Sequence, residues 1–267
     1  MNTTRFRRKS TRSRRAHIDF KKGVYLLPNI LTSMSLFCGF YAIVATMQHN
    51  YIIAAWVIIL ASVFDGLDGR VARMTHTTSR FGLEYDSLCD LVAFGVAPAV
   101  LSFGIVLHQF GRVGWLAAFL FCACGAMRLA RFNTLSGSLS GKFFQGLPIP
   151  VAAGMIAASI IFLNHHQLDD KTFLSFFLMA LIYALAFLMV STIRFRSFKN
   201  FNLQSRRPFS AVFVAILVIV VVAMEPETML FCIGVVYIGS AIVEYILYLA
   251  RRRQQIETQT EAVEENK

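Results

Sequence analysis

The sequence predicts an all-α integral membrane protein, a polytopic helical bundle with about eight transmembrane helices. Three observations carry this. Hydrophobic residues make up 56% of the 267 positions and charged residues only 15%, and the mean hydropathy is positive, whereas globular domains run nearer a quarter charged. Apolar stretches close to the ~20 residues needed to cross hydrocarbon recur along the whole chain. Lysine and arginine segregate to alternate connections between those stretches.

The chain opens with a basic arm, residues 1–22, containing the run RFRRKSTRSRR. It reads as an unstructured segment lying against anionic lipid, where each basic residue gains about 1 kcal/mol near the surface. The first apolar stretch, 26–47, is of spanning length and interrupted near its start by Pro28 and Asn29. With so long an arm before it, it does not read as a removable signal peptide. The second, 51–67, ends in Asp65, Gly66, Leu67 and Asp68, and the third, 84–107, begins with Asp86, Ser87, Leu88, Cys89 and Asp90. The fourth, 114–132, ends in Arg128 and Arg131. The fifth, 147–163, opens with Pro148 and Pro150, tolerated in a first helical turn. The loop NHHQLDDK then reads as solvated, with His165, His166, Asp169 and Asp170 as a weaker metal alternative. The sixth stretch is 172–192, the seventh a short 209–224, and the eighth 228–250, which closes a membrane domain of residues 23–250. The polar tail 251–267 is expected to lack fixed structure.

With the N-terminus inside and eight crossings, every Lys and Arg except Arg112 and Lys171 falls in a cytoplasmic segment. This predicts a multi-pass protein of the cell (inner) membrane with both termini in the cytoplasm. The same distribution accounts for the net charge of +11. The basic residues are spread over every inside loop without an aromatic platform or a DNA-binding motif, so nucleic acid is not an expected partner. Cys38, Cys89, Cys122, Cys124 and Cys232 lie within the spans without a CxxC pair, and read as small core residues, not disulfides or zinc ligands.

Four aspartates at the cytoplasmic edge demand a cause. Asp65 and Asp68 are three apart and Asp86 and Asp90 four apart, so each pair shares one helical face. Carboxylates near hydrocarbon are costly and repel one another. Oxygen ligands select hard cations such as Mg2+, Mn2+ or Ca2+. Four carboxylates suit two metals sharing them, an arrangement associated with phosphoryl chemistry. The alternatives are a cluster that neutralises nearby arginines, and a transporter, which would place its carboxylates near the bilayer midplane. Gly66, Gly69, Ala72 and Gly82 leave backbone approachable for a base or phosphate, although small residues also serve close helix packing.

The segment Asp65, Asp68, Gly69, Ala72, Arg73, Gly82, Asp86, Asp90 resembles the signature of the CDP-alcohol phosphotransferase family, D-x-x-D-G-x-x-A-R-x8-G-x3-D-x3-D, at every fixed position. The resemblance implies a six-helix membrane core, commonly dimeric, with two further spans at the C-terminal end. It implies that Asp65, Asp68 and Asp86 hold divalent metal, Mg2+ or Mn2+, two per site. Asp90 would be the general base and would also touch a metal. Asn29, Thr32, Asp65, Gly69, Ala72, Arg73 and Gly82 would line the CDP pocket. Asp90 lies one turn deeper than Asp86, where reduced solvation and nearby metal charge act on it in opposite directions.

Three further segments resemble the phosphatidylserine synthase branch of the family: residues 27–32, residues 128–133 and residues 144–150. That likeness implies transfer of the phosphatidyl group from CDP-diacylglycerol to L-serine, releasing CMP. A planar guanidinium binds a carboxylate bidentately, which serine needs and choline or inositol does not. Arg128 and Arg131 are the first candidates for serine or lipid phosphate, with Arg194 and Arg196 behind them. Arginines at a cytoplasmic helix end are also what orientation and the helix dipole favour. Glycerol 3-phosphate and choline remain the rival acceptors.

Overall fold

A computed structural model describes residues 16–75, 79–135, 144–167, 171–191, 193–195 and 224–265. Helix α1 spans Ala16–Met47 and α2 Tyr51–Met74. The third hydrophobic segment is composite: α3, Arg80–Asp90, runs into a π-helical turn, Leu91–Val96, and then into α4, Ala97–Ile105. A short 3-10 turn, Leu107–Phe110, leads to α5, Arg112–Leu135. Then come α6, Ile149–His165, α7, Lys171–Val190, and α8, Pro226–Glu265. Two residue pairs, β1 (Phe144–Gln145) and β2 (Arg194–Phe195), meet antiparallel beside α6. The all-α expectation holds.

Six helical segments among the described residues are long and apolar enough to cross a membrane, and α6 is a shorter apolar helix of 17 residues. The protein is therefore a multi-pass membrane protein. The expected span 209–224 lies outside the described residues except for Met224. The second span continues past its expected end at residue 67 to Met74, so Gly69, Ala72 and Arg73 sit on the helix that carries Asp65 and Asp68. At the termini, α1 starts at Ala16, inside the expected basic arm, and α8 runs through the polar tail to Glu265. Tail residues Gln254 to Glu265 contain no Gly or Pro and several strong helix formers, which lets helix persist beyond the hydrophobic stretch.

The backbone of the site is the α1/α2 pair. Cys38, Ala42 and Ala45 of α1 and Ala54, Ala55, Ile58 and Ala61 of α2 are buried. Such small residues let two helices approach closely where no hydrophobic effect drives them together. Ser35 Oγ adds a buried bond across the seam to the Ala61 carbonyl at 3.2 Å. Gly39 continues it on the other side, where an added Cβ would come within 2.5 Å of Ala93 Cα in the π turn. Helix α6 is buried along nearly its whole circumference, from Ile149 to Leu163, which marks it as the axis of the bundle. Large apolar side chains such as Phe37, Phe40, Phe119 and Phe187 point outward, as a lipid-facing surface requires.

Residues 144–150 have a structural task. Gly146 takes φ +83, and an added Cβ would strike the Met189 carbonyl oxygen. Its amide donates to Ile193 O at 2.9 Å, and the Leu147 amide to Leu188 O at 3.1 Å. Pro148 caps α6 with extended geometry and Pro150 lies in its first turn. This segment therefore locks the start of α6 to the end of α7.

Candidate functional site

Asp65 and Asp68 lie in the second half of α2, and Asp86 and Asp90 in the last half of α3. Because α1 packs against both α2 and α3, the two pairs face each other across one end of the bundle. Carboxylate oxygens of Asp65, Asp68 and Asp86 all lie within 4.8 Å of one another. Asp90 falls outside that trio, with its carboxyl next to that of Asp65. The sequence-derived cluster is thus assembled, with Asp90 set behind the other three.

Local chemistry fixes Asp68 and the start of α3. Thr32, buried in α1, donates from Oγ1 to Asp68 Oδ2 at 2.7 Å and also reaches Pro28 O at 3.1 Å. The Gly69 amide supports the same carboxylate. Ser79 caps α3 by accepting from the Gly82 amide at 2.9 Å, the side-chain-to-backbone arrangement preferred at helix starts. A Ser three residues ahead of Gly82 was the signal for that cap. Ser33 Oγ and Tyr85 Oη are 2.9 Å apart, which ties the outer face of α3 to α1.

Of the nucleotide-pocket candidates, Asn29 lies next to Gly82, because a Cβ built there would be 3.6 Å from Asn29 Oδ1. The Arg73 guanidinium lies over Gly69 and acts on Asp68. Ala72 is half-buried on α2. Nothing approaches within 4 Å of a Cβ built on Gly66, so α2 has an open side next to Asp65.

The arginine candidates separate. Arg128 of α5 is half-buried and within electrostatic reach of Asp90 and of Tyr237 in α8, and its Nε is buried without a hydrogen-bond partner. Asn133, near the end of α5, holds that helix to α3 by donating from Nδ2 to Ser87 Oγ at 3.0 Å and to Glu84 Oε2 at 3.4 Å. Arg131 lies one turn along from Arg128 on the same helix. Arg194 is in β2, its backbone paired with Gln145. Arg196 lies outside the described residues. Tyr237 belongs to no motif and is brought to Arg128 only by the packing of α8.

The residues present fit a hard divalent cation. Three carboxylates converge, their donors are all oxygen, and Asp86 Oδ1 is buried with no hydrogen-bond partner. A buried, unpaired carboxylate oxygen among like charges is stabilised by a cation that joins it. Among the described residues no His takes part, and the buried Cys89 thiol is engaged by Tyr85.

The profile of the CDP-alcohol phosphatidyltransferase family matches residues 25–193. A relative from Helicobacter pylori, named CDP-diacylglycerol–serine O-phosphatidyltransferase, is 42% identical over 181 residues, 66% of this chain and 74% of its own length. Relatives of the same name come from Methanocaldococcus jannaschii, 34% identical over 71% of this chain and 83% of its own, and Bacillus subtilis, 35% identical over 68% of this chain and 97% of its own. The matched interval contains the carboxylate cluster, its Thr32 support and Arg128. With that interval covering more than half of the sequence, the chain belongs to the CDP-alcohol phosphatidyltransferase family.

Proposed function

We propose that the protein transfers the phosphatidyl group of CDP-diacylglycerol to the hydroxyl of L-serine, giving phosphatidylserine and CMP. The observation that carries this reading is a single juxtaposition: three carboxylates within 4.8 Å, Asp90 next to Asp65 behind them, and the Arg128 guanidinium within electrostatic reach of Asp90. In serine the hydroxyl and the carboxylate sit on neighbouring carbons. A base with a cation at its side is the arrangement that binds both, which choline would not use.

Asp65, Asp68 and Asp86 would hold the divalent metal, Mg2+ or Mn2+ and two ions per site, with Asp90 also touching it. When bound, the metal would supply positive charge to neutralise the pyrophosphate and stabilise the departing phosphate oxygen. Asn29, Thr32, Gly69, Ala72, Arg73 and Gly82 line the CDP pocket, with Gly66 leaving its side open. Asp90 accepts the proton of the serine hydroxyl as that oxygen attacks the diacylglycerol-linked phosphorus. The bond from this phosphorus to the CMP oxygen breaks, and CMP leaves with the electron pair. Arg128 orients the acceptor; Arg131, Arg194 and Arg196 are further contacts for serine or lipid phosphate. The acyl chains stay in the bilayer.

The basic arm, the membrane domain of residues 23–250 and the tail 251–267 form one chain in the cell (inner) membrane, with termini and site cytoplasmic. The placement of Lys and Arg supports this orientation. A homodimer is the assembly the family likeness favours.

The test is CMP release by purified protein given CDP-diacylglycerol, Mn2+ or Mg2+, and serine, glycerol 3-phosphate, inositol or choline in turn. Release with serine alone is expected. Release with another alcohol and none with serine overturns the acceptor, and an Asp90→Asn variant that keeps full turnover overturns the base, whose loss should cost about 10²–10⁴-fold.

A further inference from the structure

We propose that Tyr85 of α3 is a positioning residue for the nucleotide pocket: through Ser33 it holds the start of α3, which carries Gly82, against Asn29 of α1. Position 85 is free in the family signature, where it falls among the three variable residues between Gly82 and Asp86, and no step of the transfer uses it. The inference rests on the reading of Asn29 and Gly82 as walls of the CDP pocket.

Two contacts, one helical turn apart, join these helices. Asn29 Oδ1 lies 3.6 Å from a Cβ built on Gly82, and Ser33 Oγ lies 2.9 Å from Tyr85 Oη. Asn29 and Ser33 are four apart on α1, and Gly82 and Tyr85 three apart on α3, so each pair shares one helical stripe. Ser33 Oγ donates its single proton to the Asn29 carbonyl at 2.8 Å, which makes the Tyr85 phenol the donor to Ser33. The chain of bonds that starts on α3 thus ends on the backbone of Asn29 itself. Phe81, one turn before Tyr85, stacks on its ring with centroids 5.9 Å apart and planes 6° apart, which helps to aim the phenol.

Thr32, the neighbour of Ser33, gives this bond its meaning. Its hydroxyl meets Pro28 O at 3.1 Å and Asp68 of α2 at 2.7 Å. Consecutive helical residues point about 100° apart, so one turn of α1 sends Thr32 to α2 and Ser33 to α3. Residues 28–33 therefore space the α2 wall, with Asp65 and Asp68, from the α3 wall, with Gly82. The cap that Ser79 gives Gly82 stays within α3, whereas the Tyr85 bond crosses to α1. Without the phenol hydroxyl the start of α3 is freer to move from Asn29, and the gap that takes the nucleotide loses its fixed width.

Turnover of CDP-diacylglycerol in lipid nanodiscs, with CMP added as a competing nucleotide, tests this. Tyr85→Phe keeps the ring and its stack on Phe81 but deletes the hydroxyl, Ser33→Ala deletes its acceptor, and Ser33→Thr retains one. Tyr85→Phe and Ser33→Ala should each raise the KM for CDP-diacylglycerol, and the CMP concentration that halves the rate, roughly three- to tenfold, the range of one hydrogen bond between membrane helices. The double variant should be no worse than either alone. Values of kcat and of the serine KM should stay within about twofold, and Ser33→Thr should match the parent. Tyr51→Phe, which deletes a hydroxyl bond to Gly104 O at the far end of the bundle, controls for lost stability and should leave both nucleotide readings unchanged. Asn29→Ala should raise both; if it raises neither, the reading of the pocket falls and the inference with it. A rise in Asn29→Ala with none in Tyr85→Phe overturns the role of Tyr85 alone. Additive losses in the double variant, a Ser33→Thr protein as impaired as Ser33→Ala, or an equal rise in the serine KM would reduce the pair to packing and overturn the proposal.

Discussion

At the end of the bundle where α1 passes into α2, polar groups are paired with one another. His49 Nδ1 and Tyr51 Oη are 2.8 Å apart, Tyr51 Oη donates to Gly104 O at 3.0 Å, and His166 meets Thr228 at 3.2 Å. A cavity of about 400 Å3 opens there among His49, Asn50, Tyr51, Ile105, Ile160 and Asn164. At the other end, four carboxylates crowd together, while Asp86 Oδ1 and Arg128 Nε are buried without partners. This cavity and the four carboxylates therefore sit at opposite ends. The difference teaches that in this bundle the candidate site is marked by charge left uncompensated, because polar groups paired with one another have less to offer a ligand.

The strongest way to break this comparison is to remove one of the uncompensated charges. Asp86→Asn should lower the rate of CMP release by about 10²–10³-fold, the usual loss when one electrostatic contact to the reacting phosphoryl group goes. The same variant should unfold at a higher temperature than the parent in chelator, because without cation the parent retains like charges within 4.8 Å. Thermal unfolding followed with and without EDTA reads both halves. A variant that loses activity and is also destabilised in EDTA would mean that Asp86 serves packing.

A smaller effect is expected from the support behind the carboxylates. Thr32→Val removes the 2.7 Å bond to Asp68 while keeping a branched side chain in the α1/α2 seam. Groups that orient a metal ligand typically change metal affinity by about 10–100-fold. The Mn2+ concentration giving half-maximal CMP release should rise by that factor, with the rate at saturating Mn2+ nearly kept. If the rate at saturation falls instead, Thr32 acts on substrate and belongs to the CDP pocket alone.

The carboxylate pairs, the approachable small residues between them and the membrane class were all legible in the sequence. Each depends on spacing within one helix or on composition. Partnerships across helices were not legible. Thr32 and Asp68 are 36 positions apart, and nothing in either segment states that α1 and α2 meet in that register. Arg128 stood out as a guanidinium at a helix end, but orientation favours arginine there too. The Asn133 clasp to Ser87 and Glu84 and the packing of α5 on the π turn hold its helix toward Asp90. The π turn after Asp90 was hidden inside an unbroken hydrophobic run, because hydropathy does not distinguish a π turn from an α turn. Gly146 pointed to a family branch by its surroundings, whereas its φ of +83 gives it a backbone role that the neighbouring letters do not carry.

The smallest effect is expected at the paired end, and it sharpens the contrast most directly. Tyr51→Phe keeps the ring but deletes the hydroxyl that joins His49 to the Gly104 carbonyl. His49 closes α1 at φ +61, a left-handed conformation that is uncommon for a side-chain-bearing residue and is held by its contacts. The loss should therefore appear as stability, about 0.5–1.5 kcal/mol for one intramolecular hydrogen bond, and as a small downward shift of the unfolding temperature in detergent. The KM values for both substrates and the metal requirement should not move, because α1 and α2 lie between this end and the aspartates as continuous helices. A Tyr51→Phe protein with a changed serine KM at unchanged stability would show that the two ends communicate along the α1/α2 seam. The hollow at the paired end would then belong to the catalytic cycle.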